Sequence, residues 1–152
     1  MEKIPIMING LPGNVAKIIA TNALADGRFI LIPYSLTGQE INDDSCTLTE
    51  TNGEINLKLV RPDVREQTIN LIKDEFPFFI SIDYTHPSAV NANAEFYVKH
   101  GLPFVMGTTG GDREALSQIV MASDISAVIA PNMAKQIVGF QAMMAYGAKT
   151  FP

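Results

Sequence analysis

Residues 4–20 read IPIMINGLPGNVAKIIA. Ile4, Ile6, Met7 and Ile8 make an apolar run of strand length, and the run stops at Asn9-Gly10. After Leu11-Pro12-Gly13 the apolar positions change to helical spacing, at Val15, Ile18, Ile19 and Ala23. A strand, a glycine turn and a helix form the geometry that holds a pyrophosphate. The glycines let backbone N–H groups approach phosphate oxygens, and the helix N-terminus adds a partial positive charge. The spacing Gly10-x-x-Gly13-x-x-Ala16 is a relaxed dinucleotide fingerprint, with a small residue where the helix must pack on the strand. Such a turn can also need glycines for its own geometry, so this stretch alone supports both readings.

The chain has 152 residues, a length suited to one domain. Apolar residues make up 47% and charged residues 18%, which places it among globular proteins and not disordered ones. A net charge of −5 with scattered Lys and Arg argues against a sequence-independent hold on nucleic acid. The single cysteine, Cys46, excludes an internal disulfide and a multi-cysteine metal cage, and it fits a reducing compartment. No signal peptide is read at the N-terminus and no apolar run approaches ~20 residues, so no membrane partner is expected.

Further along, residues 29–34 (FILIPY) read as a second strand, ending in Ser35-Leu36-Thr37-Gly38. That end falls roughly 25 residues after the first glycine, where a dinucleotide fold reads the adenosine ribose. Hydroxyls and a glycine stand there in place of an acid, which leans toward NADPH or dual use, although Ser35 and Thr37 could simply make the turn. Two short alternating stretches flank Thr51-Asn52-Gly53, the signal of an inserted β-hairpin. Cys46 reads as a half-buried hairpin residue, since no His lies near it in sequence. Residues 62–75 read as a helix with Pro62 in its first turn and Val64, Thr68, Leu71 and Ile72 on one face. Residues 78–83 read as a strand, and Ser88 as the cap of a helix carrying Val90, Ala94, Tyr97 and Val98. Residues 104–106 form a further strand, running into Gly107-Thr108-Thr109-Gly110-Gly111. A helix with Leu116, Ile119 and Val120 follows, then a last strand at 126–130 and a final helix to about Lys149.

Strands alternating with helices predict an α/β fold: a Rossmann-like, doubly wound, mostly parallel sheet with the hairpin inserted. In such sheets ligands sit outside the carboxyl ends of the strands. Five polar or glycine-rich segments follow predicted strand ends, and their convergence makes nucleotide binding the favoured reading. They are 10–13, 35–37, 84–86, 107–110 and 131–133.

Four motifs occur in order: Ile6-Met7-Ile8-Asn9-Gly10-x-x-Gly13, Asp83-Tyr84-Thr85-x-Pro87-Ser88-Ala89-Val90-Asn91, Gly107-Thr108-Thr109-Gly110-Gly111-Asp112-Arg113, and Pro131-Asn132-Met133-x-Lys135-Gln136. On these motifs the chain resembles dihydrodipicolinate reductase, in particular its plant and cyanobacterial branch, over essentially its whole length. The resemblance implies an NADH- or NADPH-dependent reductase of lysine (diaminopimelate) biosynthesis, acting on the cyclic imine made from aspartate semialdehyde and pyruvate. It implies that Gly10, Leu11, Pro12, Gly13, Asn14, Val15 and Lys17 lie around the pyrophosphate, with Asn14 in place of a basic residue. Ser35 and Thr37 would border the ribose, and Tyr84 and Thr85 would line the cleft. Gly107, Thr108 and Thr109 would meet the nicotinamide amide, as would Pro131, Asn132 and Met133. The location implied is the cytoplasm, or the plastid stroma in a photosynthetic eukaryote.

Each role has a plainer rival. Thr108 and Thr109 could be turn residues, Lys17 a solvated helix lysine and His86 a loop residue, while His100 suits a helix C-terminus. Lys135 sits in a first turn, where a cation is disfavoured, so contact with an anionic substrate is one reading and solvent the other. The family's second domain supplies a His-His pair and a Lys-x-Asp…Ser-Gly-Thr segment, and neither occurs here. Residues 1–152 are therefore expected to be the cofactor domain alone, without catalytic residues or a substrate and oligomerisation domain. The alternative is a free-standing or decayed NAD(P)H-binding module. Met133, Ile137, Val138, Phe140, Met143, Met144 and Tyr146 spread around the last helix, which predicts packing on a missing domain, another subunit, or both.

Overall fold

The computed structural model describes residues 2–50, 53–130 and 132–151. Strand β1 (Ile4–Asn9) lies at the centre of the molecule and alternates its side chains between two cores. Ile6 and Ile8 enter one core, while Met7, fully buried, enters the other. The chain then forms α1 (Asn14–Ala25) and β2 (Phe29–Leu31), which pairs parallel to β1. After an excursion it returns on the opposite side of β1 as β6 (Ile80–Asp83), followed outward by β7 (Phe104–Met106) and β8 (Ala127–Ile129). The sheet order β2-β1-β6-β7-β8 is parallel throughout, with Ile8 opposite Ile82 and Val105 opposite Val128. This is the expected Rossmann-like arrangement, and the order reverses between β1 and β6, where such folds open a crevice.

The excursion builds a second, three-stranded sheet. Residues 29–34 are not one strand. β2 stops at Leu31, the Ile32 N–H closes the main ladder on the Ile6 carbonyl (2.9 Å), and β3 (Tyr34–Leu36) leaves for the small sheet. The break falls at Pro33, which has no N–H to donate, while its carbonyl accepts from Lys58 N at 3.0 Å. The hairpin is formed by β4 (Ser45–Glu50) and β5 (Gly53–Val60), paired antiparallel. Its turn residues 51 and 52 lie outside the described residues. β5 also pairs parallel to β3, Leu36 opposite Val60. Cys46, Leu48, Leu57 and Leu59 cover the Ile6/Ile8 face beside α1.

Three helices cover the other face: α2 (Arg65–Glu75), α3 (Val90–Lys99) and α4 (Arg113–Met121). Two predicted faces are displaced. On α1 the buried stripe is Ala16, Ala20 and Ala23, whereas Val15 and Ile18 are exposed, because the helix packs closely on two sheets and only methyl groups fit. On α2 the anchors are Ile69 and Ile72, with Leu71 and Val64 exposed and Pro62 in the preceding turn. Val90, Ala94 and Tyr97 of α3 are buried as expected, joined by Phe96, and Val98 is half-buried. Ser88 is not the cap before α3. The His86 side chain accepts from Ser88 N at the head of a short 3-10 turn, Pro87–Ala89. Asp112 caps α4 by accepting from Glu114 N and Ala115 N. The final helix, α5 (Lys135–Thr150), has no buried residue. Among the described residues, no helix is long and apolar enough to cross a membrane.

Ser81, in the middle of β6, is fully buried, and its hydroxyl finds no hydrogen-bond partner among the described residues. A desolvated, unpaired hydroxyl costs about 1–3 kcal/mol. Ser81→Ala is expected to raise stability by about 1 kcal/mol in urea denaturation, and a lower midpoint would show that the hydroxyl has a partner.

Candidate functional site

The turn after β1 is held from three sides. Gly10 adopts φ +105°, and a Cβ there would collide with the Tyr84 carbonyl, so the turn lies directly against the segment that leaves β6. The Gly10 N–H donates to the Leu36 carbonyl (2.9 Å) and the Tyr84 N–H to the Asn9 carbonyl (3.1 Å). Within the turn, Gly13 N donates to Gly10 O at 2.9 Å, and a Cβ on Gly13 would stand 2.8 Å from that oxygen. The peptide of buried Leu11 is gripped by two hydroxyls: its N–H donates to Ser35 Oγ (3.2 Å) and its carbonyl accepts from Thr37 Oγ1 (2.7 Å). Helix α1 starts at Asn14 without a side-chain cap, which leaves its first-turn N–H groups available to an anion.

A cavity of about 880 Å³ opens between the strand ends. The 10–13 turn, residues 36–41 after β3 and residues 84–86 after β6 form its walls. Pro62 and Arg65 come in from the segment after β5, and Ala92 and Asn93 from α3. This is the size and placement of a dinucleotide crevice.

Beneath the cavity lies a buried polar network centred on Asp83, at the last position of β6 and fully buried. Its Oδ1 accepts from Thr85 N (3.1 Å), Thr85 Oγ1 (2.8 Å) and Thr108 Oγ1 (2.9 Å). Its Oδ2 accepts from Asn93 Nδ2 (3.0 Å) and the Tyr97 hydroxyl (2.6 Å). Tyr97 in turn accepts from Asn9 Nδ2 (3.0 Å), and Asn9 Oδ1 accepts from Leu36 N (2.9 Å). Burial, reinforced by the Asp83 charge beside it, pushes the Tyr97 phenol well above its ordinary value. Partial burial also raises Tyr84, whose ring lies against the Gly107 backbone.

The structure gathers part of the predicted set. Gly10, Leu11, Pro12, Gly13, Thr37, Tyr84 and Thr85 line the cavity. Gly107 and buried Thr108 adjoin it through Tyr84 and Asp83, while Thr109 is exposed. Ser35 is fully buried with its hydroxyl committed to the turn, and it is not part of the cavity wall. Asn14, Val15 and Lys17 are exposed at the start of α1 and also stand outside the wall. Asn132, Met133 and Lys135 are exposed beyond β8, and Pro131 lies outside the described residues. Sequence reasoning missed Arg65, Asn9, Asn93 and Tyr97 as site groups. Asn93 carried a signal, since it is a polar residue among the core positions Val90, Ala94 and Tyr97.

The profile of the family described as "Dihydrodipicolinate reductase, N-terminus" matches residues 4–133. The chain belongs to this family. It is 40% identical over 148 residues to the rice protein named "Probable 4-hydroxy-tetrahydrodipicolinate reductase 2, chloroplastic", covering 97% of this chain and 44% of the rice one. It is 42% identical over 149 residues to the Arabidopsis thaliana 4-hydroxy-tetrahydrodipicolinate reductase 2, chloroplastic, covering 98% of this chain and 41% of that protein. An Archaeoglobus fulgidus 4-hydroxy-tetrahydrodipicolinate reductase is 25% identical over 147 residues, covering 95% and 51%. The chain thus spans about half the length or less of these relatives, and corresponds to the family's N-terminal domain.

Tyr97→Phe removes a donor to Asp83 and an acceptor for Asn9. It is expected to cost about 2 kcal/mol, read from the denaturation midpoint. The raised phenol adds a pH signature. Its stabilising effect is fully present below the unfolded value of 10.0, and fades as pH rises from there toward the folded value, because only the unfolded chain releases the proton. Between about pH 9 and 11 the native chain should lose stability more steeply than the Phe variant.

Proposed function

We propose that this chain is the coenzyme-binding domain of a 4-hydroxy-tetrahydrodipicolinate reductase of lysine biosynthesis, taking up NADPH or NADH. The observation that carries the reading is the cavity at the reversal point of the sheet, with the 10–13 turn on one wall, ending at Gly13 just before the uncapped α1. The residues fit the coenzyme. The N–H groups of the 10–13 turn are taken within the protein, so a pyrophosphate would meet those of the uncapped first turn of α1 that the turn leads into. Thr37 to Glu40 border the region expected for the adenosine ribose. Tyr84, Gly107 and Thr108 lie toward the β7 side, where the nicotinamide is expected. Bound there, the reduced nicotinamide would supply hydride. The protein's part is to fix the ring by the loops pinned to Asp83. The plastid location that the plant relatives' names carry is extended to this chain as part of the same reading.

The substrate side is assigned to the part of the relatives that this chain does not span. Ile137, Val138, Phe140, Met143, Met144 and Tyr146 on α5 are 44% to 71% exposed, a surface of the kind that marks a contact. We assign α5 as the face against which the remainder of a longer polypeptide packs, and residues 1–152 alone as inactive in imine reduction. Lys135, in its exposed first turn, remains the candidate for an anionic substrate.

Calorimetric titration tests the coenzyme. Binding of at least one of NADPH and NADH below about 1 mM is expected, and no heat from either at that concentration overturns the reading. Gly13→Ala, which pushes the Gly10 carbonyl out of the turn, should weaken binding about tenfold or more while circular dichroism stays unchanged. For α5, light scattering behind size exclusion is expected to show association or strong hydrophobic-dye binding by this chain, and neither by one extended to the relatives' full length. A dye-silent monomer of the short chain would overturn the contact.

A further inference from the structure

Sites that tell a ribose 2′-hydroxyl from a 2′-phosphate do so with charge at the ribose end of the crevice. Here that end issues from β3, and the strand beside it is β5. The two run parallel, and Thr37 N donates to Val60 O at 3.0 Å, so the segments that follow them leave the small sheet side by side. One carries Thr37 to Glu40 into the cavity wall and the other carries Arg65.

Two arginines stand at this end, and their partners differ. Arg61 is spent within the protein: it pairs with Asp44 at 2.9 Å and donates to the carbonyls of Ile41 and Asp43. Arg65 has no carboxylate partner among the described residues. Its Nη1 donates to Asn93 Oδ1 (3.0 Å), and its guanidinium stacks 4.5 Å from the Phe96 ring centroid. Asn93 is itself fixed, because its Nδ2 donates to Asp83 Oδ2 and to Thr85 Oγ1, each at 3.0 Å. The guanidinium is therefore held from below by the buried network, with further N–H donors left for the cavity it lines. A cation fixed in this way loses little freedom on meeting a phosphate, and an arginine fork matches phosphate oxygens. The acid on the same wall, Glu40, is solvent-exposed and makes no hydrogen bond or ion pair among the described residues, so water and salt screen its repulsion.

We propose that Arg65 binds the 2′-phosphate of NADPH and is the residue that makes this site prefer NADPH over NADH. The proposal rests on the coenzyme reading above.

Calorimetry on the 152-residue chain and its Arg65→Gln variant, with NADPH and NADH in parallel, tests it. The variant is expected to weaken NADPH about tenfold or more and to move NADH less than about threefold. Equal losses for both coenzymes, or no loss for NADPH, would overturn the Arg65 assignment and leave the coenzyme reading standing. An unmodified chain that binds neither coenzyme overturns that reading, and the proposal with it. Should the variant fail to fold, adenosine 2′,5′-bisphosphate and AMP, which differ only by the 2′-phosphate, titrated into the unmodified chain decide the question. Tighter binding of the 2′-phosphorylated ligand by about tenfold, shrinking as salt is raised, supports the assignment. Equal or weaker binding overturns it.

Discussion

A carboxylate taken wholly out of water must be matched by donors, or its desolvation would unfold the chain around it. Asp83 meets that demand with one backbone N–H and four side-chain donors, and the places they come from explain the architecture. Thr85 belongs to the segment after β6, Thr108 to the loop after β7, and Asn93 and Tyr97 to α3. Through Tyr97 the network reaches Asn9 at the end of β1, and through Asn9 it reaches Leu36 at the end of β3. Four strand ends are thus tied to one group: those of β6 and β7 by charge-assisted bonds to the carboxylate, and those of β1 and β3 through neutral bonds relayed by Tyr97 and Asn9. The crevice above is framed by loops that cannot shift independently.

The main sheet was legible because its signals are local and agree with one another. Largely apolar stretches at 4–8, 78–82 and 104–106 each end in a polar residue or glycine, and each precedes a helical spacing. What failed was the assignment of faces and breaks. Val15, Ile18 and Leu71 look like core residues by spacing alone. They are exposed because alanines in α1 and Ile69 in α2 fit the available gaps, and a gap is a property of the assembled layers. The interruption at Pro33 was visible as a proline. Its consequence, a strand handed to a second sheet, depends on the β3–β5 pairing, which joins residues far apart in the chain.

The candidate site divides along the same line. Glycines and hydroxyls following strand ends were readable because position in an α/β sheet carries meaning by itself. Ser35 was placed at the right strand end but faces the turn, and its hydroxyl accepts the Leu11 N–H instead of lining the crevice. Alternation along a strand whose start was misjudged could not have shown that. Arg65 was hidden for another reason. It opens a helix on the far side of β1, and the parallel pairing of β3 with β5 is what brings it to the cavity that Thr37 also lines. A search for basic residues flanking Ser35 in sequence could not find it.

The last helix poses the remaining physical question. An isolated helix of 16 residues with glycines at 139 and 147 is marginal in water, since nucleation is costly and each internal glycine removes about 1 kcal/mol relative to alanine. Most helices of this length are sustained by burying an apolar face, and α5 buries nothing within the described residues. Its first turn also carries Lys135, a cation set against the helix dipole. Lys149 in the last turn suits the dipole, but among the described residues nothing covers the apolar side chains of α5, and the contact face proposed for it rests on that exposure. The rice and Arabidopsis relatives are more than twice as long as this chain, and the proposed contact assigns the cover to the part it does not span. The polar network under the crevice, by contrast, closes on itself within β1, β3, β6, β7 and α3. Among the described residues the crevice is therefore built without α5, and the loops that frame it are set by the network and not by that helix.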